Sequence, residues 1–374
     1  MSHPDFVEPA YLDHSLGDLL PAVARALGVD VGLGESALDL PEAPSYVVFL
    51  VDGLGYELLR DHPDQAPFLH SLLDGRPPAT VGVPSTTAPS LTSLGTGLTP
   101  GVHGVVGFTS RIPGTDDLLN ALMWSKKVDP LEWQPHPTAF GRLAAAGVRT
   151  TVVNKREFAG SGLTLAGQRG AEFVGADKVG ERMAAVLAAS STEPSLTYLY
   201  DGDLDWTGHR YGVASTSWEL QLAMIDSAAE QLREVMPASS RLVVVADHGM
   251  VDSPAENRLD VDDHHELLDG VAVVGGEARF RHLYCRGGAV EDVLARWRSA
   301  VGDRAEVLSR DEAFARGWFG EVLAAVRPRI GDVLVAARED FSVLSSSAFP
   351  YEAKLVGLHG SLTSAEMLIP VLVA

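Results

Sequence analysis

Residues 45–55 read SYVVFLVDGLG, and this stretch decides the fold. A nearly unbroken apolar, β-branched run with no polar face suits a strand of a parallel sheet that is buried on both sides. It stops abruptly at Asp52-Gly53. The same pattern recurs down the chain. HPTAFGRLAAAGVRTTVVNK (136–155) reads as a helix, a glycine stop and a strand, and ADKVGERMAAVLAAS (176–190) as a helix leading into the strand SLTYLYD. A longer helix over roughly 215–236 precedes the strand RLVVVADHGM (241–250), and a final strand closes the chain. Strands alternating with helices predict an α/β fold, a three-layer α/β/α sandwich with a mostly parallel central sheet. Residues from about 255 to 340 are less regular, with GVAVVGGEARFRHLYC reading as a hairpin. They predict a small insert or cap within a single domain spanning 1–374.

Composition narrows the function. The chain has 374 residues, 46% of them hydrophobic, as an ordinary globular protein has. A net charge of −21 repels nucleic-acid phosphates and anionic lipid, which argues against a polymer-binding groove. The single cysteine, Cys285, excludes a disulfide framework and a zinc–thiolate site. Any metal must be held by Asp, Glu and His. The N-terminal residues lack a basic region followed by an apolar run, and no stretch approaches the ~18–20 apolar residues of a membrane span. A cytoplasmic location and no membrane partner are the expectation.

In α/β folds ligands gather outside the carboxyl ends of the strands. Strands here end at Asp52, at the group Asp201, Asp203, Asp205, and at Asp247-His248. Asp205 and His209 stand four apart, so on a helical turn they share one face and can share a cation. An acidic cap followed by a surface histidine is the plainer reading of that pair. Asp52 and Asp247 could equally be turn residues, and His359, in GLHGS, a structural histidine. Together these residues supply three Asp and three His at predicted strand ends. That mixed oxygen and nitrogen set suits Zn²⁺, with Mn²⁺ or Fe²⁺ as alternatives, and is enough for two ions. A further stretch, VPSTTAPSLTSLGTGLTPGVHGVVGF (83–108), places paired threonines before a helix whose N-terminal amides favour an anion. A threonine hydroxyl needs a base or a metal to become a nucleophile.

The ordered set VDGLG, PSTTAPS with TGLTPGVHG, DLDWTGH, ADHGM and GLHG resembles the alkaline phosphatase superfamily, and within it the type I phosphodiesterase/nucleotide pyrophosphatase family. The motifs run from residue 52 to 359. The resemblance implies one zinc on Asp52, Asp247 and His248, a second on Asp205, His209 and His359, and Thr87 as the metal-contacting nucleophile, with Thr86 as the alternative register. It implies a phosphothreonine intermediate and a small anionic phosphate-ester substrate. Asp201 takes a supporting place near the site and Asp203 a solvated or capping one.

One departure bears on substrate. Phe108 stands where the family's nucleotide pyrophosphatases carry an Asn that contacts a phosphate oxygen. Lys126, Lys127, Lys155 or Arg156 could substitute for it, or Phe108 could pack against a base or an apolar leaving group. His264, His265, Arg279 and Arg281 are expected on solvated surface, the alternative being a part in a lid formed by 255–340 over the site. The Thr nucleophile and Leu91 speak against a sulfatase, and the short spacing from Asp52 against a cofactor-independent phosphoglycerate mutase. A phosphomonoesterase, a phosphonate hydrolase and a catalytically silent metal-binding protein are the alternatives.

Overall fold

Every residue of the strand Ser45–Val51 (β1) is buried, so both faces of the sheet it belongs to are covered. The computed structural model describes residues 6–34, 36–73 and 75–374. The central sheet comprises β1 with Arg149–Asn154 (β2), Glu172–Gly175 (β3), Ser195–Asp201 (β4), Ser240–Val245 (β5) and Val371–Val373 (β6). Their order across the sheet is β6-β5-β1-β4-β2-β3, with β6 antiparallel to β5 and every other pairing parallel. The fold is therefore α/β with a mostly parallel central sheet.

Register explains why the acids meet. β1 lies between β5 and β4, with Leu50 opposite Val245 and Val51 opposite Asp201. Asp52 and Asp247 follow in the same row, just past the sheet. The helices that matter for the site are Thr87–Thr96 (α1), Asp203–Tyr211 (α2) and Thr216–Val235 (α3). α2 starts two residues after β4 ends, so Asp205 and His209 rise from the same sheet edge. α3 begins at a Ser215 cap whose hydroxyl accepts from the Trp218 N–H, and it buries Trp218, Leu222, Ile225, Ala229 and Leu232 along one helical stripe.

Residues 271–337 build a second, antiparallel sheet ordered Val271–Glu277, Phe280–Cys285, Val333–Ala337, Ala305–Ser309. Period-two alternation gives it two apolar faces. Phe280, Leu308, Leu334 and Ala336 join the main core, while Leu283, Val307, Val333 and Val335 pack with Trp297 of the helix Val290–Val301. Arg281 lies in this sheet and Arg279 in the turn joining its first two strands; both are fully buried, which corrects the expectation of solvated surface. Arg279 Nη2 meets Glu366 Oε2 at 2.7 Å, and Arg281 is paired with Glu352. A buried guanidinium is tolerated because each is matched by a carboxylate and backbone carbonyls. His264 and His265 are exposed. Among the described residues no helix is long and apolar enough to cross a membrane.

Candidate active site

The carboxylates and histidines at the sheet edge fall into two groups, Asp52, Asp247, His248 and Asp205, His209, His359. In the first, His248 Nε2 stands 3.3 Å from Asp52 Oδ1 and 3.6 Å from Asp247 Oδ2. In the second, Asp205 Oδ2 is 3.4 Å from His209 Nε2, and its Oδ1 is 3.6 Å from His359 Nε2. The first group is sealed from solvent; the second borders an open cleft.

Backbone partners fix which nitrogen of each imidazole is free. His209 Nδ1 lies 2.7 Å from Gly357 O, His248 Nδ1 2.9 Å from Gly249 O, and His359 Nδ1 3.0 Å from Ser85 O. A carbonyl only accepts, so each Nδ1 carries the hydrogen. Burial holds the pKa of His248 below the ordinary range and that of His359 well below it. Their Nε2 lone pairs therefore face carboxylate oxygens, and the Nε2 atoms of His209 and His359 sit only 3.2 Å apart. Asp52 Oδ1, Asp205 Oδ1 and Asp247 Oδ2 are buried without hydrogen-bond partners. Burial raises the pKa of all three carboxyls, Asp52 most of all, with Asp247 and Asp205 adding to its shift. Orphaned acceptors facing one another are what a cation satisfies, and oriented imidazoles are a feature of metal ligation. The residues fit divalent ions.

Local backbone builds this arrangement. Gly53 has φ +77°, and a Cβ there would lie 3.1 Å from Asp205 Cα and Cβ. Only glycine lets β1 turn away while α2 approaches so closely. The Gly53 N–H donates to Asp247 Oδ1, and the Tyr200 hydroxyl donates to Asp52 Oδ2. Tyr200 reads in sequence only as a strand residue, and its role depends on which side chain the neighbouring strand places opposite it. Asp201 does not reach the two groups. It pairs with the buried Arg182 at 3.0 Å and accepts the Asp203 N–H, anchoring the start of α2.

Thr87 is the first residue of α1, with Thr86 extended at the N-cap. Thr87 Oγ1 lies 3.2 Å from His248 Nε2 and 3.5 Å from Asp52 Oδ2. The first backbone N–H groups of a helix have no intrahelical partner, so those of Thr87 and Ala88 remain for an anion. Thr86 lines the same cleft but makes no such contact with the two groups.

Two clefts open beside the site. One, of about 450 Å³, includes Thr87, Asp205, His209 and His359, with Phe108, Leu122 and Tyr351 among its walls. The other, of about 400 Å³, includes Asp205 and His209 with Lys155, Phe158 and Tyr200. Trp206 belongs to both. Of the cations considered as substitutes for the missing Asn, Lys155 alone is placed here, with Nζ 2.8 Å from Asp203 Oδ1. Arg156 pairs with Asp177 and Glu181, and Lys126 and Lys127 are exposed. Phe108 turns its ring edge-on to Tyr351, centroids 5.8 Å apart, while its N–H donates to Glu277 Oε2. Burial pushes the pKa of Glu277 up to about 8. Sequence reasoning missed Glu277, Leu122 and Tyr351, which stand in no motif, and Trp206, which stands inside DLDWTGH but is neither a ligand nor a nucleophile type.

Parallel strands that deliver carboxylates and imidazoles around a hydroxyl at a helix N-terminus give the arrangement of the alkaline phosphatase superfamily, and the family match makes the chain a phosphoric ester hydrolase. A profile of the family described as type I phosphodiesterase / nucleotide pyrophosphatase matches residues 46–362, and the chain belongs to that family. Among solved structures, human ectonucleotide pyrophosphatase/phosphodiesterase 5 is similar at 17% identity, with 88% of this chain and 87% of that chain covered and a TM-score of 0.68. An inactive form of the murine protein in complex with AMP is similar at 18% identity, with 89% and 88% covered and a TM-score of 0.70. No curated protein matches the sequence.

Proposed function

We propose that this chain hydrolyses phosphodiester or pyrophosphate bonds of small, nucleotide-like substrates through a covalent intermediate on Thr87. Asp52, Asp247 and His248, with Thr87, would hold one divalent cation, and Asp205, His209 and His359 a second, with Zn²⁺ the first choice. Cations bound there supply Lewis acidity, which makes a hydroxyl a better nucleophile and offsets charge on phosphoryl oxygens. The observation that carries the reading is Thr87 Oγ1, 3.2 Å from His248 Nε2 at the start of α1.

Each protein group then has a task. The free amides of Thr87 and Ala88 receive a phosphoryl oxygen at the positive end of α1. Thr87 Oγ1 attacks phosphorus, the ester oxygen leaves as an alcohol, and water later releases the phosphoryl group from Thr87. Backbone carbonyls at Gly357, Gly249 and Ser85 keep the imidazoles in the Nδ1–H form. Clefts on both sides of Trp206 provide for two ester groups, which favours a diester over a monoester. The AMP bound by the murine neighbour supports a nucleotide-like group in one of them. Residues 255–340 belong to the same domain as an insert, walling one cleft through Glu277 and Ala278.

Turnover of bis-p-nitrophenyl phosphate beside p-nitrophenyl phosphate by the zinc-loaded protein tests this, with Thr87→Ala as control. Preference for the diester, lost in the variant, is expected. A monoester preference moves the protein to the phosphatases. Two bound metals without turnover of either would indicate a phosphonate substrate or a silent metal-binding protein.

A further inference from the structure

The two clefts differ in chemistry. The larger presents Phe108, Leu122, Trp206, Tyr351, Leu355 and Leu358. Three of these lie open to water at their rim, with Trp206 58%, Leu122 48% and Tyr351 41% exposed. Large side chains held exposed around a concave surface that opens onto the reacting groups are a binding feature rather than scattered surface apolarity.

Some of the polar side chains of this cleft are engaged with other groups. Arg210 lies over the rings of Trp206 and Tyr211, its Cζ 5.6 Å from each centroid. Glu352 is paired with Arg281, and Glu277 receives the Phe108 N–H on Oε2 while its buried Oε1 has no partner. Lys354 lines the cleft as an exposed side chain. A nucleobase could meet Glu277 Oε1, but most of its edge would lie against apolar walls, at the cost of lost hydration. A hydrocarbon would lose nothing. The smaller cleft has proportionally more polar walls, with Lys155, Glu157, Asp203 and Asp205 among them, and suits a polar group.

We infer that the larger cleft takes a hydrocarbon ester group, so that the preferred substrates are asymmetric phosphodiesters with one apolar and one polar arm. The inference rests on the phosphodiesterase reading for the reaction, but the recognition it describes is separable from turnover. The phosphoryl group anchors at Thr87 and the two ligand groups, and the hydrocarbon lies between Phe108, Tyr351 and Leu122. Each methylene buried there is worth about fourfold in affinity.

Methylphosphonic and hexylphosphonic acids have no ester bond to cleave, and tryptophan fluorescence of the zinc-loaded protein reads their binding through Trp206. Hexylphosphonate should bind at least about thirtyfold more tightly than methylphosphonate. In Leu122→Asp, which sets a carboxylate at the exposed rim, that ratio should fall to about fivefold or less. A ratio near one in the wild-type protein, or one that Leu122→Asp leaves unchanged, overturns the inference. Turnover of hexyl p-nitrophenyl phosphate is measured in parallel. If it is absent while the binding ratio holds, the diesterase reading fails and the apolar arm stands. Turnover with a binding ratio near one has the opposite meaning.

Discussion

His248 and His359 lie face to face, their ring centroids 3.6 Å apart and their planes 14° from parallel. They belong to the two different carboxylate–imidazole groups, so the stack joins these groups into one body. Both rings are held from behind by a backbone carbonyl, which leaves both Nε2 atoms turned toward carboxylates. Removing either ring should disturb both groups. His359→Ala is expected to lower zinc content by at least one ion per chain and turnover by at least about 100-fold, the upper end of what loss of a mere supporting contact costs. Metal analysis after dialysis, with a rate measured at saturating zinc, checks this. Full zinc content in the variant would remove His359 from the ligand set.

Thr87→Ala separates the nucleophile from the ligands. Thr87 contributes a hydroxyl at the edge of the first group and little packing, so the variant should fold normally. Turnover should fall by about 10³-fold or more, as when other covalent catalysts lose their nucleophile, while metal content changes little. Thr86→Ala should retain most of the rate, because Thr86 stands at the N-cap of α1 with no side-chain contact to either group. Equal losses in both variants would leave the nucleophile unassigned.

Gly53→Ala tests the closeness of β1 and α2. A left-handed φ at a non-glycine residue costs about 1–2 kcal/mol, and the new methyl would press on Asp205. The expected result is a lower Tm together with weaker zinc binding in a chelator competition. A fall in Tm with unchanged zinc affinity would mean that Asp205 is held by something other than this contact.

Arg279→Met breaks a buried ion pair and leaves Glu366 charged in the core. The loss should be about 3–5 kcal/mol in urea denaturation. Glu366 Oε1 also accepts the Ser361 N–H, and the carbonyl of Glu366 receives the Gly249 N–H. The variant should therefore loosen the segments next to His359 and His248, with zinc affinity falling alongside stability.

Glu277 sets a pH dependence. Its folded pKa of about 8 lies above the ordinary glutamate range, so between about pH 4.5 and 8 the folded chain holds a proton that the unfolded chain releases. Stability from this group is fully present below about pH 4.5 and is lost as pH rises through about 8. The contribution is on the order of 5 kcal/mol at most. Glu277→Gln mimics the protonated form and should flatten the fall of Tm with pH between 5 and 9. Parallel curves for the two zinc-loaded proteins would show that Glu277 is ionised in the fold.

Much of this protein was determined locally, along the chain. The apolar runs ending at Asp52, Asp201 and Val245 specify buried parallel strands, because only strands covered on both faces tolerate such sequences. Once strands and helices alternate, their acidic ends must lie at one edge of the sheet. The i, i+4 spacing of Asp205 and His209 needs only a helical turn. What tertiary structure alone decided is which side chains meet across elements distant in sequence. Tyr200 reaches Asp52 because β1 and β4 are neighbours, and strand order is not written in either strand. Arg279 and Arg281, polar by composition, became core residues because Glu366 and Glu352 arrive from the end of the chain to neutralise them. The apolar cleft was likewise invisible: Phe108, Leu122, Trp206 and Tyr351 come from separate segments. Periodicity reports burial within one element, whereas a binding wall depends on how several elements pack.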